Sequence, residues 1–344
     1  MNILVTGAGA LLGQGILRSL NEIKGNMTIH TCDPAWRSGG HWLGDFAHTI
    51  PLATDNNYIV EISRLISENN INLLFIGTDV ELPVFAENKE KLESQFNLKI
   101  IVSNKKVIEI ANNKYLTAKF LQENDYPFPY SVLSEDKKGV KELKEKSAYP
   151  YFAKPVDGAR SKGIVKVENE KILDEITSYP NNLVIQEFIS EEEGEFTSGC
   201  LVLDGKAVAV VTLKRDLRDG NTYRAYYEKE FTRYDETIKK IAESLGVEGP
   251  CNFQFRIRNG EPVIFEINAR FSGTTPLRSF FGFNEVEAVV NHYTNQQKIS
   301  QPELREGEVL RVWADLFIPK EEAERFNASK EIEKPEAEYH PFKK

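Results

Sequence analysis

Glu266 and Asn268 stand two residues apart in the apolar run Val263-Ile264-Phe265-Glu266-Ile267-Asn268. Such a run reads as a strand, and strand alternation puts side chains at i and i+2 on one face. A carboxylate beside an amide is a hard-oxygen set suited to Mg2+, which takes one or two carboxylates and fills its remaining positions with water and substrate phosphates. Gln254, on the strand that precedes the Asn259-Gly260 turn, adds an oxygen without a second formal charge. A self-satisfied buried polar cluster is the plain alternative, and it explains the Glu/Asn spacing less well. Lys154 lies in Tyr151-Phe152-Ala153-Lys154-Pro155, where a charged side chain is costly unless paired. Between Gly158 and Gly163, small residues such as Ser161 let backbone N–H groups approach an anion, and Arg160 and Lys162 add charge. Lys114 opens a helix, and Lys214 and Arg215 end a strand. Fixed cations around a hard-metal set suit phosphoryl chemistry, which needs electrostatic stabilisation and alignment more than covalent help. Solvated lysines and an ordinary hairpin loop are the alternatives.

The elements that must position these groups fall into two patterns. From residues 2 to 112 apolar strands alternate with helical stretches: Asn2 to Thr6, Leu11 to Leu20, Met27 to Cys32, Tyr58 to Asn69, Ile71 to Ile76 and Lys99 to Val102. This order implies a doubly wound α/β unit. After the helix Lys114 to Asn124 the character changes to α+β. Strands are expected at 151–155, 163–167 and 183–187, with a short helix near Glu170 to Tyr179. Two more strands flank Asp204-Gly205, a helix covers Thr237 to Leu245, and a hairpin-like pair runs 251–258 and 261–268. Residues beyond about 301 are charged and only partly patterned.

Bulk properties exclude several classes. The chain has 344 residues, 41% of them apolar, enough for two or three domains with a sizeable core. With 52 acidic and 43 basic side chains the net charge is -9, which argues against nucleic acid as a partner. No apolar run approaches the ~20 residues that cross a bilayer. The three cysteines are far apart in sequence and read as reduced, so a cytoplasmic protein away from membranes is expected. The five histidines show no metal spacing, and Tyr223, Tyr226 and Tyr227 suit either a pocket wall or a core.

Gly7, Gly9 and Gly13 form a strand-to-helix turn, with Asp33 where a ribose-binding acid would stand. An NAD(P) site is the functional reading. Both glycine fingerprints miss by one residue, because Leu12 and Ala10 occupy required glycine positions. A structural or carboxylate-binding turn fits better than an NAD(P)-dependent reductase or epimerase.

Three segments together resemble a known family. Asn113-Lys114-Tyr115 through Pro127-Phe128-Pro129 is similar to the entry into the nucleotide-binding half of ATP-grasp proteins. Phe152 through Gly163 resembles their lysine strand and phosphate loop, and Glu261 through Arg270 their metal-binding strand. The opening Val5-Thr6-Gly7-Ala8-Gly9 and the Glu266-x-Asn268-x-Arg270 ending resemble the carbamoyl phosphate synthetase large-subunit branch, as a single unit. The match runs from residue 1 to about 285.

The resemblance implies an ATP-grasp fold with four parts: a Rossmann-like pre-ATP-grasp domain (1–112), a small lid (113–187), a central subdomain with the metal site (188–300) and an extension of unknown role (301–344). It implies that Lys114, Lys154, Gly158, Ser161 and Gly163 face ATP phosphates, and that Glu187 and the backbone of Ile189 hold adenine. Glu195 would take the ribose hydroxyls. Gln254, Glu266 and Asn268 would bind Mg2+, with Mn2+ as an alternative. Arg270 would lie near the transferred phosphate, with Lys214 and Arg215 within reach of it. The implied activity is a ligase that converts a small carboxylate to an acyl phosphate and couples it to an amine; dimers are common in the family. A carbamate- or bicarbonate-phosphorylating enzyme and a non-catalytic nucleotide-binding module are the alternatives.

Overall fold

A computed structural model of the protein describes residues 1–158, 163–312 and 314–340. Strands β1 (Asn2–Val5), β2 (Thr28–Asp33), β3 (Phe46–Thr49), β4 (Leu73–Phe75) and β5 (Lys99–Ile101) form a parallel sheet in the order β3-β2-β1-β4-β5. The chain winds outward from β1 in one direction and then in the other. The crevice beyond the carboxyl ends of β1 and β4 is therefore a topological switch point, where open α/β sheets bind ligands. Buried apolar residues on both faces explain why these strands read as continuous hydrophobic runs.

The helix Leu82–Phe96 escapes the sequence pattern because its inner face includes Lys89. That ammonium is held by the Val102 carbonyl (2.8 Å) and Glu248 (2.5 Å), so a charged residue takes an apolar position. Strand β3, the strand Asn221–Tyr227 and the helix Glu285–Asn295 are further elements that the pattern leaves out.

A second sheet, antiparallel, has the order β6-β9-β7-β8 and contains β6 (Ser131–Leu133), β7 (Tyr151–Pro155), β8 (Val165–Val167) and β9 (Leu183–Glu187). It has its own small core around Leu143, Tyr151, Leu173 and Ile185. The third sheet runs β14-β13-β10-β11-β12-β15. Its members are β10 (Glu195–Leu203), β11 (Lys206–Arg218), β12 (Asn221–Tyr227), β13 (Gly249–Arg258), β14 (Glu261–Asn268) and β15 (Gly307–Leu310). Its core is continuous with that of the first sheet. Two sheets thus share one body, and the second sheet packs as a separate lobe.

The segment after residue 300 is built into both large sheets. β15 extends the third sheet, and β17 (Glu331–Glu333) pairs antiparallel with β3; β16 (Asp315–Phe317) and β18 (Glu338–His340) form a short ribbon. Phe326 anchors the intervening helix Lys320–Ser329 against Trp42. Cys200 and Cys251, far apart in sequence, lie opposite one another on β10 and β13; both are buried and free. Among the described residues no helix is long and apolar enough to cross a membrane.

Gly199 on β10 lacks a side chain for a physical reason: a Cβ there would stand 2.1 Å from Glu285 Oε1. Arg278, 0% exposed, forms an ion pair with Glu285 at 3.0 Å and donates to Asn252 Oδ1 (2.8 Å) and Ser272 Oγ (3.2 Å). Removing one partner leaves the other charge buried and unpaired. Arg278→Met should therefore cost about 3–5 kcal/mol of stability. Urea unfolding checks this, and replacing Glu285 by Leu in the same chain should recover part of the loss.

Candidate functional site

Strand alternation on β7 sends Tyr151 and Ala153 into the small core and Phe152 and Lys154 toward the third sheet. The Lys154 ammonium lies 5.3 Å from the Phe265 ring centre and donates to Gln186 Oε1 at 2.8 Å. Burial pulls its pKa down to about 8; the Glu266 carboxylate works against that shift, and Lys114 and Arg256 reinforce it. Lys114, at the start of the helix Lys114–Glu123, donates to the Gly158 carbonyl at 2.9 Å. Its pKa is also lowered, by burial first, with Glu266 and Asp157 opposing.

These groups line a cleft of about 220 Å3 between the small lobe and the third sheet, together with Gly158, Ile189, Glu195, Arg215, Gln254 and Glu266. Glu266 Oε1 accepts from the amides of Gln254 (3.0 Å) and Asn268 (2.9 Å), and its second oxygen has no partner among the described residues. Arg215 donates to Gln254 Oε1 (2.6 Å) and Glu195 Oε1 (2.7 Å). Arg270 donates to Asn268 Oδ1 (2.9 Å) and pairs with Asp79 of the first sheet's crevice at 2.7 Å.

A second cavity, of about 120 Å3, adjoins the first. Its walls are the switch-point turns (Ala10 to Leu12 and Gly77 to Asp79), the third sheet and Ser272 to Thr274. Arg270 and Asn252 line it, and Glu266, Gln254, Arg215 and Gly220 border both cavities. A phosphate at the inner end of the cleft would thus face a molecule in the second cavity.

Several expected residues are engaged differently from the expectation or lie elsewhere. Glu187 does not line the cleft: its Oε1 accepts from the Tyr130 N–H (2.8 Å) and pairs with Arg258 (2.7 Å), tying the lobe to β13. The Ile189 carbonyl accepts from Arg256 at 3.0 Å. Both Glu195 oxygens are taken by guanidiniums, Arg215 on one and Arg256 on the other, so this acid orients cations into the cleft. Lys214 is a correction. It alternates with Arg215, so its ammonium lies on the other face of the sheet near Phe196 and Tyr226, remote from both cavities. Gly163 has a left-handed φ of 74° and lines neither cavity; Ser161, with the rest of 159–162, lies outside the described residues.

Arg256 and Asp79 are site residues that the sequence reading missed. Asn252, Gln254, Arg256 and Arg258 recur with period two on β13, a visible polar face. Asp79 had no such signal, since its partner Arg270 is remote in sequence. The Gly7 turn is self-contained. Asp33 accepts from the Gly9 N–H (2.9 Å), the Ala35 N–H (2.9 Å) and the Ser38 hydroxyl (2.7 Å), and a Cβ on Gly9 would meet Ser38 Oγ at 2.3 Å. The acid that a dinucleotide reading needs is consumed by the turn itself.

Comparison with known proteins agrees with this geometry. A family model described as "ATP-grasp domain" matches residues 111–274. The carbamoyl phosphate synthase large chain of Caldanaerobacter subterraneus subsp. tengcongensis is 25% identical over 312 residues, covering 80% of this chain and 27% of that one. Residues 111–274 are thus similar to an ATP-grasp domain. The large chain from Pyrococcus furiosus is 27% identical over 205 residues, 55% of this chain and 19% of its own. The chain therefore spans about a quarter or less of the length of these curated relatives. Among solved structures, N5-carboxyaminoimidazole synthetase from Staphylococcus aureus, complexed with ADP, superposes with a TM-score of 0.72 at 14% identity, covering 90% of this chain and 82% of that one. The L-amino acid ligase of Bacillus licheniformis gives 0.63 at 19% identity, covering 85% and 73%. These establish an ATP-grasp fold with an N-terminal doubly wound domain.

The lowered pKa of Lys154 predicts how nucleotide binding depends on pH. Below about 8 the group is an ammonium, and above it the neutral amine prevails. A polyphosphate favours the ammonium, so binding takes up a proton near that pH. Affinity for ATP should be flat at lower pH and weaken as pH rises past about 8, by up to roughly tenfold per unit. Lys154→Met should bind more weakly and flatten that profile; calorimetry in buffers of different ionisation heat measures both.

Proposed function

We propose that this ATP-grasp protein is a ligase that phosphorylates a small carboxylate at the expense of ATP and passes the acyl group to an amine. The observation that carries this reading is the junction of the two cavities at Glu266, Gln254 and Arg215. One cavity is lined with lysines suited to phosphates. The other opens at the switch point of a doubly wound sheet, where a second substrate is expected.

The residues fit a divalent cation. Glu266 presents a carboxylate with one oxygen free of hydrogen bonds among the described residues, and the amide oxygens of Gln254 and Asn268, which here accept from Arg215 and Arg270, would join it as hard donors on exchanging those partners. When bound there, Mg2+ supplies charge neutralisation for the phosphoryl oxygens. The remaining work falls to this chain's side chains. Lys114 and Lys154 neutralise phosphate charge, and Lys154 gains an anion at closer range than Glu266, with which it forms no ion pair among the described residues. Arg215 and Arg256, oriented by Glu195, face the same cleft. Arg270, held by Asp79 and Asn268, points its guanidinium at the second cavity and there orients the carboxylate of the substrate.

In the reaction a carboxylate oxygen attacks the γ-phosphorus in line, the bond to the bridging oxygen breaks, and ADP departs. The amine then attacks the carbonyl carbon of the acyl phosphate; inorganic phosphate leaves with the substrate oxygen, and the amine proton passes to solvent.

Two measurements test this. Glu266→Gln removes the carboxylate of the metal set and should lower turnover at least ~100-fold, the scale for lost electrostatic stabilisers; circular dichroism should show the fold unchanged. Retained ATP consumption would place the metal elsewhere. A carboxylate substrate labelled with 18O should deliver one labelled oxygen to the released phosphate, read by mass spectrometry. Release of AMP, or of unlabelled phosphate with ADP, would sink the acyl-phosphate route.

A further inference from the structure

We propose that the second cavity accepts a substrate bearing a second anionic group, and that Arg311 is the specificity residue that binds it. This rests on the reading of that cavity as the acceptor site. Three guanidiniums reach its walls: Arg215, Arg270 and Arg311. The first two have carboxylate partners, Arg215 with Glu195 and Arg270 with Asp79, each at 2.7 Å. Arg311 has none within ion-pair distance among the described residues. It donates to the Gly273 carbonyl, and its Nε is buried without a hydrogen-bond partner among the described residues.

An arginine does not relieve this by losing its proton, because its pKa stays above any ordinary pH. Burial, and next the Arg18 guanidinium, both disfavour its charge. The neighbourhood therefore contains two cations and a desolvated, unsatisfied N–H donor. A ligand anion is the natural complement, since buried charges are paired or cost dearly.

The position of Arg311 separates this anion from the reacting carboxylate. Arg311 follows β15, and its N–H donates to the Tyr223 carbonyl at 2.8 Å. It stands beside Gly273 and Leu11; a Cβ on Gly273 would lie 3.1 Å from Leu11 and 3.9 Å from Arg311. Arg270 and Arg311 both border only the second cavity, but Arg270 donates to Asn268, which is bonded to Glu266 at the junction with the cleft, whereas Arg311 donates to Gly273. The anionic group is thus bound at the end away from phosphoryl transfer. A planar guanidinium takes a carboxylate or a phosphate in the same forked geometry, so the substrate class is a dicarboxylate or a phosphorylated carboxylate.

The test titrates acetate and sulfate calorimetrically into the protein with Mg–AMP-PNP in the cleft. The wild type should bind one of them, and Arg311→Gln should weaken that binding at least about tenfold. Glutamine keeps a donor for the Gly273 carbonyl but not the charge, and Arg311→Lys should restore part of the affinity; unchanged unfolding midpoints certify the fold. Preference for acetate identifies a second carboxylate, and preference for sulfate a phosphate-like group. No anion binding by the wild type, or equal binding by Arg311→Gln, overturns the proposal. The binding of AMP-PNP is read separately: its absence would overturn the nucleotide reading, while the anion titration still decides the role of Arg311.

Discussion

The Lys154 ammonium is drawn away from water between two aromatic side chains, and its hydrogen-bond partner is an uncharged amide, Gln186. Lys114 and Arg256 lie close enough to disfavour its charge further. Glu266 offsets only part of that cost, and an entering anion would offset more. The surrounding geometry follows from that condition. The small lobe has a core of its own, so it can present Lys154 without sharing side chains with the body below. Glu187 then joins lobe to body through Arg258 and the Tyr130 N–H, outside the cleft, leaving the interior to cations.

The body responds with arginines held by acids. Glu195 gathers Arg215 and Arg256, and Asp79 reaches across from the first sheet to Arg270. The last pair matters most for the second cavity, because it fixes the Arg270 guanidinium, just beyond β14, to a turn of the doubly wound domain. That relationship depends on the shared core of the first and third sheets, which sets their separation. A pair of charges is directional only if both supports are rigid.

Much of this was legible in the chain and some of it was not, for definable reasons. The strands carrying Lys154, Gln254, Glu266 and Asn268 announced themselves by apolar runs interrupted by single polar residues. The same alternation rule sorts Lys214 from Arg215, but it needs to be known which face of β11 is the cleft, and that depends on pairing between distant strands. Lys89 hid a helix by standing on its inner face. Glu187 and Glu195 are acids at plausible positions whose partners, Arg258, Arg215 and Arg256, come from other strands; a single sequence carries no trace of such pairings. Arg311 lies in a stretch without apolar rhythm, so nothing local marked it as a cavity wall.

The strand pairing of residues 331–333 with residues 46–48 also governs when the protein can become whole. Domains of this kind begin to fold from the amino end while synthesis continues. Here β3 remains an open edge until residues 331–333 have been made, and an unpaired edge is a template for pairing with other chains. Contacts this far apart in sequence also form late, because the intervening loop must be closed first. A nascent chain therefore carries an incomplete first sheet through the synthesis of the second and third, and truncation near residue 325 would leave that edge open permanently, along with the pocket that Phe326 fills against Trp42.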